Sequence, residues 1–65
     1  MSILTVIKRV IMVCKEYNKT VDDIDLVDGL LLVKLTNGLK FNLYHRFMTI
    51  EQIEDKVICA CKRSE

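Results

Sequence analysis

Few side chains in this sequence are of types that do chemistry, and they fall into four groups. His45 is the only histidine, and an imidazole that titrates near neutrality can act as a general base or bind a metal. No acid, serine or second histidine adjoins it, so it reads as a strand-end residue hydrogen-bonded locally. The three cysteines are Cys14, Cys59 and Cys61. Cys59 and Cys61 flank one alanine, and on a helix their side chains point about 200° apart. They therefore cannot share a metal ion or close an intrahelical disulfide. An odd number of cysteines without CxxC spacing excludes a complete intrachain disulfide framework and points to reduced thiols in the cytoplasm. Cys14 and Cys61 read as small buried hydrophobes, and Cys59 as an exposed thiol.

Asp23, Asp25 and Asp28, followed by Gly29, have the composition of a calcium loop but not its spacing. An EF-hand needs Asp-x-Asp-x-Asp-Gly and a later glutamate, and here the third acid and the glycine come one place late. Turn and edge-strand chemistry accounts for these residues instead. The fourth group is Lys34, Lys40 and Arg46 with Asn42 and Tyr44. Basic residues around an aromatic on an open sheet can hold single-stranded nucleic acid by charge and stacking. No group supplies a positioned acid–base or nucleophile pair, so no catalytic, cofactor or metal site is predicted.

Ten basic and nine acidic residues leave a net charge of +1, which exerts no global pull toward nucleic acid or an anionic membrane. The acids are concentrated at Asp22, Asp23, Asp25 and Asp28. A chain of 65 residues makes one small domain, residues 1–65, marginal alone unless it oligomerises. Proline is absent and half of the residues are apolar, as in a folded chain without linkers. The apolar opening MSILTVIKRVIMVCKEY is interrupted by Lys8 and Arg9. It lacks a basic leader region and a small-residue cleavage site, so neither a signal peptide nor a membrane span is predicted.

These residues must be positioned by elements that the patterning predicts. Residues 3–18 read as a helix with Ser2 as N-cap. Its polar positions Thr5, Lys8, Arg9, Lys15 and Glu16 fall in one arc. The apolar arc covers more than half of the circumference, against the roughly 100° stripe that one sheet face requires. Met12 lies in the middle of the polar arc. Residues 23–27 read as a strand, and Asp28-Gly29 as a two-residue hairpin turn. Residues 30–44, LLLVKLTNGLKFNLY, read as two further strands around Asn37-Gly38. A two-residue loop there would put Val33 opposite Asn42 and mix the faces. A three-residue loop, Thr36-Asn37-Gly38, pairs Leu35 with Leu39, Val33 with Phe41 and Leu31 with Leu43. The pattern therefore predicts a type I turn with Gly38 left-handed in a G1 bulge. Residues 48–62 read as a second helix. Thr49 and Gln52 form its capping box, and Met48 and Ile53 its hydrophobic staple.

The predicted fold is α+β: helix, three-stranded antiparallel meander, helix (αβββα), with both helices on one sheet face. The inner face carries Ile24, Leu26, Leu31, Val33, Leu35, Leu39, Phe41 and Leu43. The outer face carries Asp25, Val27, Leu30, Leu32, Lys34, Lys40, Asn42 and Tyr44, and Arg46 is placed with them. In element order the chain looks like the double-stranded-RNA-binding domain. That family would open its last helix with a basic stretch, where this one reads Thr49-Ile50-Glu51-Gln52-Ile53-Glu54-Asp55, so no residue role is carried over.

Contiguous exposed apolar residues mark interfaces, and a second copy of the chain is the commonest partner. The sequence thus predicts a small non-enzymatic cytoplasmic protein that binds protein, as a homodimer, through Met12, Val27, Leu30, Leu32 and Tyr44. It would act as an accessory or inhibitor protein, bacterial or phage-encoded, by occluding a larger protein's surface. The alternative is a nucleic-acid-binding regulator using Lys34, Lys40, Tyr44 and Arg46.

Overall fold

A computed structural model describes residues 2–63. Its elements run α1 (Ile3–Glu16), β1 (Val21–Val27), β2 (Leu30–Leu35), β3 (Lys40–Tyr44), a short 3-10 turn (His45–Phe47) and α2 (Ile50–Arg63). This is the predicted αβββα order, and the strands form one antiparallel sheet in the order β1-β2-β3.

Each element begins and ends where local chemistry directs. Ser2 caps α1: the Thr5 N–H donates to its Oγ over 3.3 Å. At the other end α1 stops at Glu16, two residues earlier than the periodicity suggests. Asn18 adopts a φ of +58°, and the Asn18 and Lys19 N–H groups donate back to the Lys15 and Cys14 carbonyls. That is a Schellman cap, and asparagine is one of the few residues that enters the left-handed region at low strain. At the start of α2 the Thr49 N–H donates to Gln52 Oε1 (2.9 Å) and the Gln52 N–H to Thr49 Oγ1 (3.2 Å), a reciprocal capping box. Thr49→Ala is expected to lower stability by about 1 kcal/mol, read as a lower urea midpoint at unchanged slope.

Both turns take the predicted forms. Asp28 and Gly29 have φ of +49° and +81°, the double left-handed geometry of a type I′ hairpin. At the second turn the Gly38 N–H donates to the Leu35 carbonyl, and the Leu35 N–H to the Leu39 carbonyl. Gly38 is left-handed at φ +92°, so the loop is Thr36-Asn37-Gly38. Asn37 Oδ1 also accepts the Leu39 N–H at 3.0 Å, fixing the exit of the turn.

The register places Val33 opposite Phe41 and Leu31 opposite Leu43 across β2 and β3. These residues, with Leu35, form the sheet's share of the core. Val6, Val10, Val13 and Cys14 of α1 and Ile53, Val57, Ala60 and Cys61 of α2 complete it from the same side. α2 lies against β3, and α1 packs against α2.

β1 departs from expectation in two ways. It begins at Val21, not Asp23, because a bulge at Asp22 lets Val21 pair with Leu35 before the register shifts. A bulge with flanking acids on an edge strand also discourages pairing with another chain along that edge. Ile24 and Leu26 do point to the inner face, opposite Val33 and Leu31. Yet Ile24 is only half-buried and Leu26 is 49% exposed. Every buried strand residue belongs to β2 or β3, so the helices cover that part of the sheet and leave the inner side of β1 partly open.

Candidate functional site

The alternation that sends Leu31, Val33 and Leu35 inward sends their neighbours outward, where no helix covers them. The direct cross-strand pairs divide this outer face into three rows. The first is Val27, Leu30 and Tyr44, at the end bearing the Asp28-Gly29 turn. The second is Asp25, Leu32 and Asn42, and the third is Asp23, Lys34 and Lys40. The face thus grades from apolar to charged along the strands. It is also acidic along β1 and basic along β2 and β3.

Val27, Leu32 and Tyr44 are exposed and Leu30 is half-buried, so the four expected interface residues of the sheet lie together. Met12 does not join them. It is exposed on α1, with Leu4 and Ile11, on the helical layer rather than the outer sheet face. The exposed apolar residues of α1 are therefore separate from the outer sheet face.

The basic residues are divided. Lys34 and Lys40 are directly paired across strands, and Lys34 Nζ lies 3.8 Å from Asp22 Oδ2. Both of those side chains are about half exposed, so the pair contributes at most about 1 kcal/mol. Tyr44 is four residues along β3 from Lys40, roughly 13 Å at strand rise. Arg46, expected with the lysines, stands at the other end of the strands from them. The chain leaves the strand at Tyr44 for the 3-10 turn, which ends the alternation. The Arg46 side chain instead lies by the first hairpin turn, with Nε 3.4 Å from where a Cβ on Gly29 would stand. That is ordinary contact distance, so it is the positive φ that calls for glycine at Gly29.

A shallow hollow of about 340 Å³ lies on the outer face among Asp23, Asp25, Leu32, Lys34, Lys40 and Asn42. Asp25 spends one acceptor locally, its Oδ1 taking the Leu26 N–H at 3.0 Å. Asp28 sits in the turn, and among the described residues no three His, Cys, Asp or Glu side chains form a metal-binding group. His45 stands at the strand end, but its Nε2 is buried without a hydrogen-bond partner, so the local bond expected for it is missing at that atom.

Two features escaped the sequence reading. Phe47, in the 3-10 turn that follows β3, is 84% exposed, the most exposed large hydrophobic residue described. It falls between the periodic segments, so neither strand nor helix patterning could place it. The second is a thiol pair in the core. Cys14 and Cys61 are fully buried, and their side chains share a hydrogen bond between α1 and α2. Burial, then the neighbouring Cys61 thiol, pushes the Cys14 thiol up from 9.0 to about 12. Each cysteine lies on its helix's apolar stripe, but a stripe does not say which residue of the other helix it meets.

The raised value has a consequence for stability with a definite sign. Below pH 9 both folded and unfolded chains keep the Cys14 proton, and its contribution is fully present. Between about pH 9 and 12 the unfolded chain loses that proton while the folded chain retains it. Stability should therefore fall by about 1.4 kcal/mol per pH unit across this window from Cys14 alone. Urea titrations across the window should show this extra decline in the wild type relative to Cys14→Ala. Native chains should offer only the exposed Cys59 to a thiol reagent, and all three cysteines after denaturation.

The chain matches no protein-family model, no curated protein and no solved structure. No described helix is long and apolar enough to cross a membrane.

Proposed function

We propose that this chain is a small non-enzymatic protein-interaction module that works as a homodimer and occludes a surface of a larger protein. The observation that carries the reading is the outer sheet face, where Val27, Leu30 and Tyr44 form a continuous apolar row beside Leu32. Isolated exposed apolar residues are ordinary, but neighbours on three adjacent strands form a patch of the kind found at interfaces. Aromatic anchors with aliphatic neighbours make up the centre of protein interfaces, and charges at the margin set orientation.

Two separate apolar surfaces suit this role. One copy can meet another through the sheet, while Leu4, Ile11 and Met12 of α1 remain available to the larger protein. A cytoplasmic accessory or inhibitor protein, of the sort that bacteria and phages encode, is the setting this reading assigns. An odd number of cysteines, one of them exposed, suits a reducing compartment. The test of the second surface is Met12→Asp with Ile11→Asp. This variant should stay dimeric but lose its effect on the larger protein; loss of dimers together with retention of that effect would overturn the division of labour.

A second reading has one observation in its favour. Lys34 and Lys40 are direct cross-strand neighbours, and like charges so placed repel and favour an anionic partner. On that reading a single-stranded oligonucleotide lies along β2 and β3. The acids of β1 beside them, and the distance from the lysines to Tyr44, weigh against it. Binding through two lysines would weaken with salt at a log–log slope of about −1.4, and Lys34→Glu with Lys40→Glu would abolish it. The protein-interaction reading expects no such oligonucleotide binding.

A further inference from the structure

We infer that the occupant of the outer sheet face is a second copy of this chain, related by a two-fold axis running along β2. This rests on the protein-interface reading and adds a specific arrangement to it. A two-fold in the plane between two facing sheets can run along the strands or across them. An axis across the strands lays β1 on the other copy's β1 and reverses the rows. Asp25 would then meet Asp25, and the apolar row of Val27, Leu30 and Tyr44 would meet the charged row of Asp23, Lys34 and Lys40. An axis along β2 lays β1 on the other copy's β3 and keeps each row against its equivalent. Asp23 then faces Lys40 of the second copy, Asp25 faces Asn42, and Val27 faces Tyr44. Leu30 and Leu32 meet their own equivalents on the axis.

The charges support the same choice. Within one chain Asp23 and Lys40 are two strands apart, about 10 Å, with Lys34 between them. Lys34 has acids beside it in its own chain, Asp22 at 3.8 Å and Asp23 opposite it on β1, whereas Lys40 has only Lys34 opposite it. Lys34 approaches its own equivalent at the axis, but it does so flanked by Asp22 and Asp23 at the solvated end of the face. Sheets that pack face to face are about 10 Å apart and cross at about 30°, an angle that an axis along the central strand bisects. The face is small, so the contact lies near the lower end of specific interfaces, about 1,000 Å² in total, and the dimer is reversible.

The arrangement makes an unusual demand. Asp23→Lys places lysine against Lys40 of the second copy on both sides of the axis, and Lys40→Asp places aspartate against Asp23. Each variant alone should dimerise at least about tenfold more weakly than wild type at low salt. Mixed one to one, the two variants restore both opposite-charge contacts, and the mixture should recover the wild-type dimer as a heterodimer. Sedimentation equilibrium of wild type, each variant and the mixture reads this directly, with circular dichroism to establish that each variant is folded. A wild-type dimer that neither substitution weakens, or that the mixture does not recover, overturns this axis while leaving the face an interface. A folded wild type that stays monomeric at every concentration overturns the face as a self-association surface as well. Tight, salt-sensitive binding of an oligonucleotide in place of dimerisation assigns the lysines to nucleic acid and likewise overturns the proposal.

Discussion

Leu31→Asp is expected to leave the chain unfolded in water at room temperature, without a cooperative thermal transition. Leu31 is fully buried on β2, the central strand of the sheet, against Leu43 of β3 and within the cluster that both helices close. Removing a buried leucine side chain costs about 2 to 5 kcal/mol. The new carboxylate adds a penalty of its own, because among the described residues no buried polar or charged side chain is there to receive it. A domain of this length has only about 3 to 10 kcal/mol of stability in total. Far-ultraviolet circular dichroism and a urea titration would check this. A native-like spectrum with a cooperative transition at the wild-type midpoint would place Leu31 outside the core.

The same substitution one residue later should have the opposite character. Leu32→Asp is expected to preserve the fold and abolish self-association. Leu32 lies on the other side of β2, is 37% exposed, and stands between Asp25 and Asn42 in the middle row of the outer face. A charge there remains in contact with water in the single chain, so its effect on stability should be small. In the dimer it would lie on the axis against an identical charge, removed from solvent, where an unpaired carboxylate is costly. Interface energy is concentrated in a few central residues, and Leu32 is the central apolar residue of this face. Stability measured at low protein concentration should therefore match wild type. At high concentration the wild type should gain stability by mass action and the variant should not.

The contrast between Leu31 and Leu32 was readable in the sequence because strand side chains alternate strictly. The choice of a three-residue loop at Gly38 came from matching apolar residues across β2 and β3, and the same matching divided the sheet into its two faces. The helix starts were readable for a different reason. Ser2, Thr49 and Gln52 satisfy exposed N–H groups through contacts three residues away, so sequence spacing alone shows them.

What could not be read depends on distance or on broken periodicity. The exposure of Leu26 required knowing that the helices cover β2 and β3 rather than the whole sheet. The position of Arg46 over Gly29 and the exposure of Phe47 arise in the 3-10 turn, where neither repeat applies. The meeting of Cys14 and Cys61 depends on how far α1 slides along α2, which the apolar stripes leave open. The candidate site was thus legible on the strands, where alternation positions Val27, Leu30, Leu32 and Tyr44. It was not legible at its margin.

The central claim, that the outer sheet face is a protein interface, is tested most directly by light scattering of wild type and Leu32→Asp across a range of concentrations. The wild-type mass is expected to rise reversibly from monomer to dimer, and the folded variant to remain monomeric throughout. A wild type that stays monomeric, or a Leu32→Asp variant that dimerises as strongly as wild type, would contradict it.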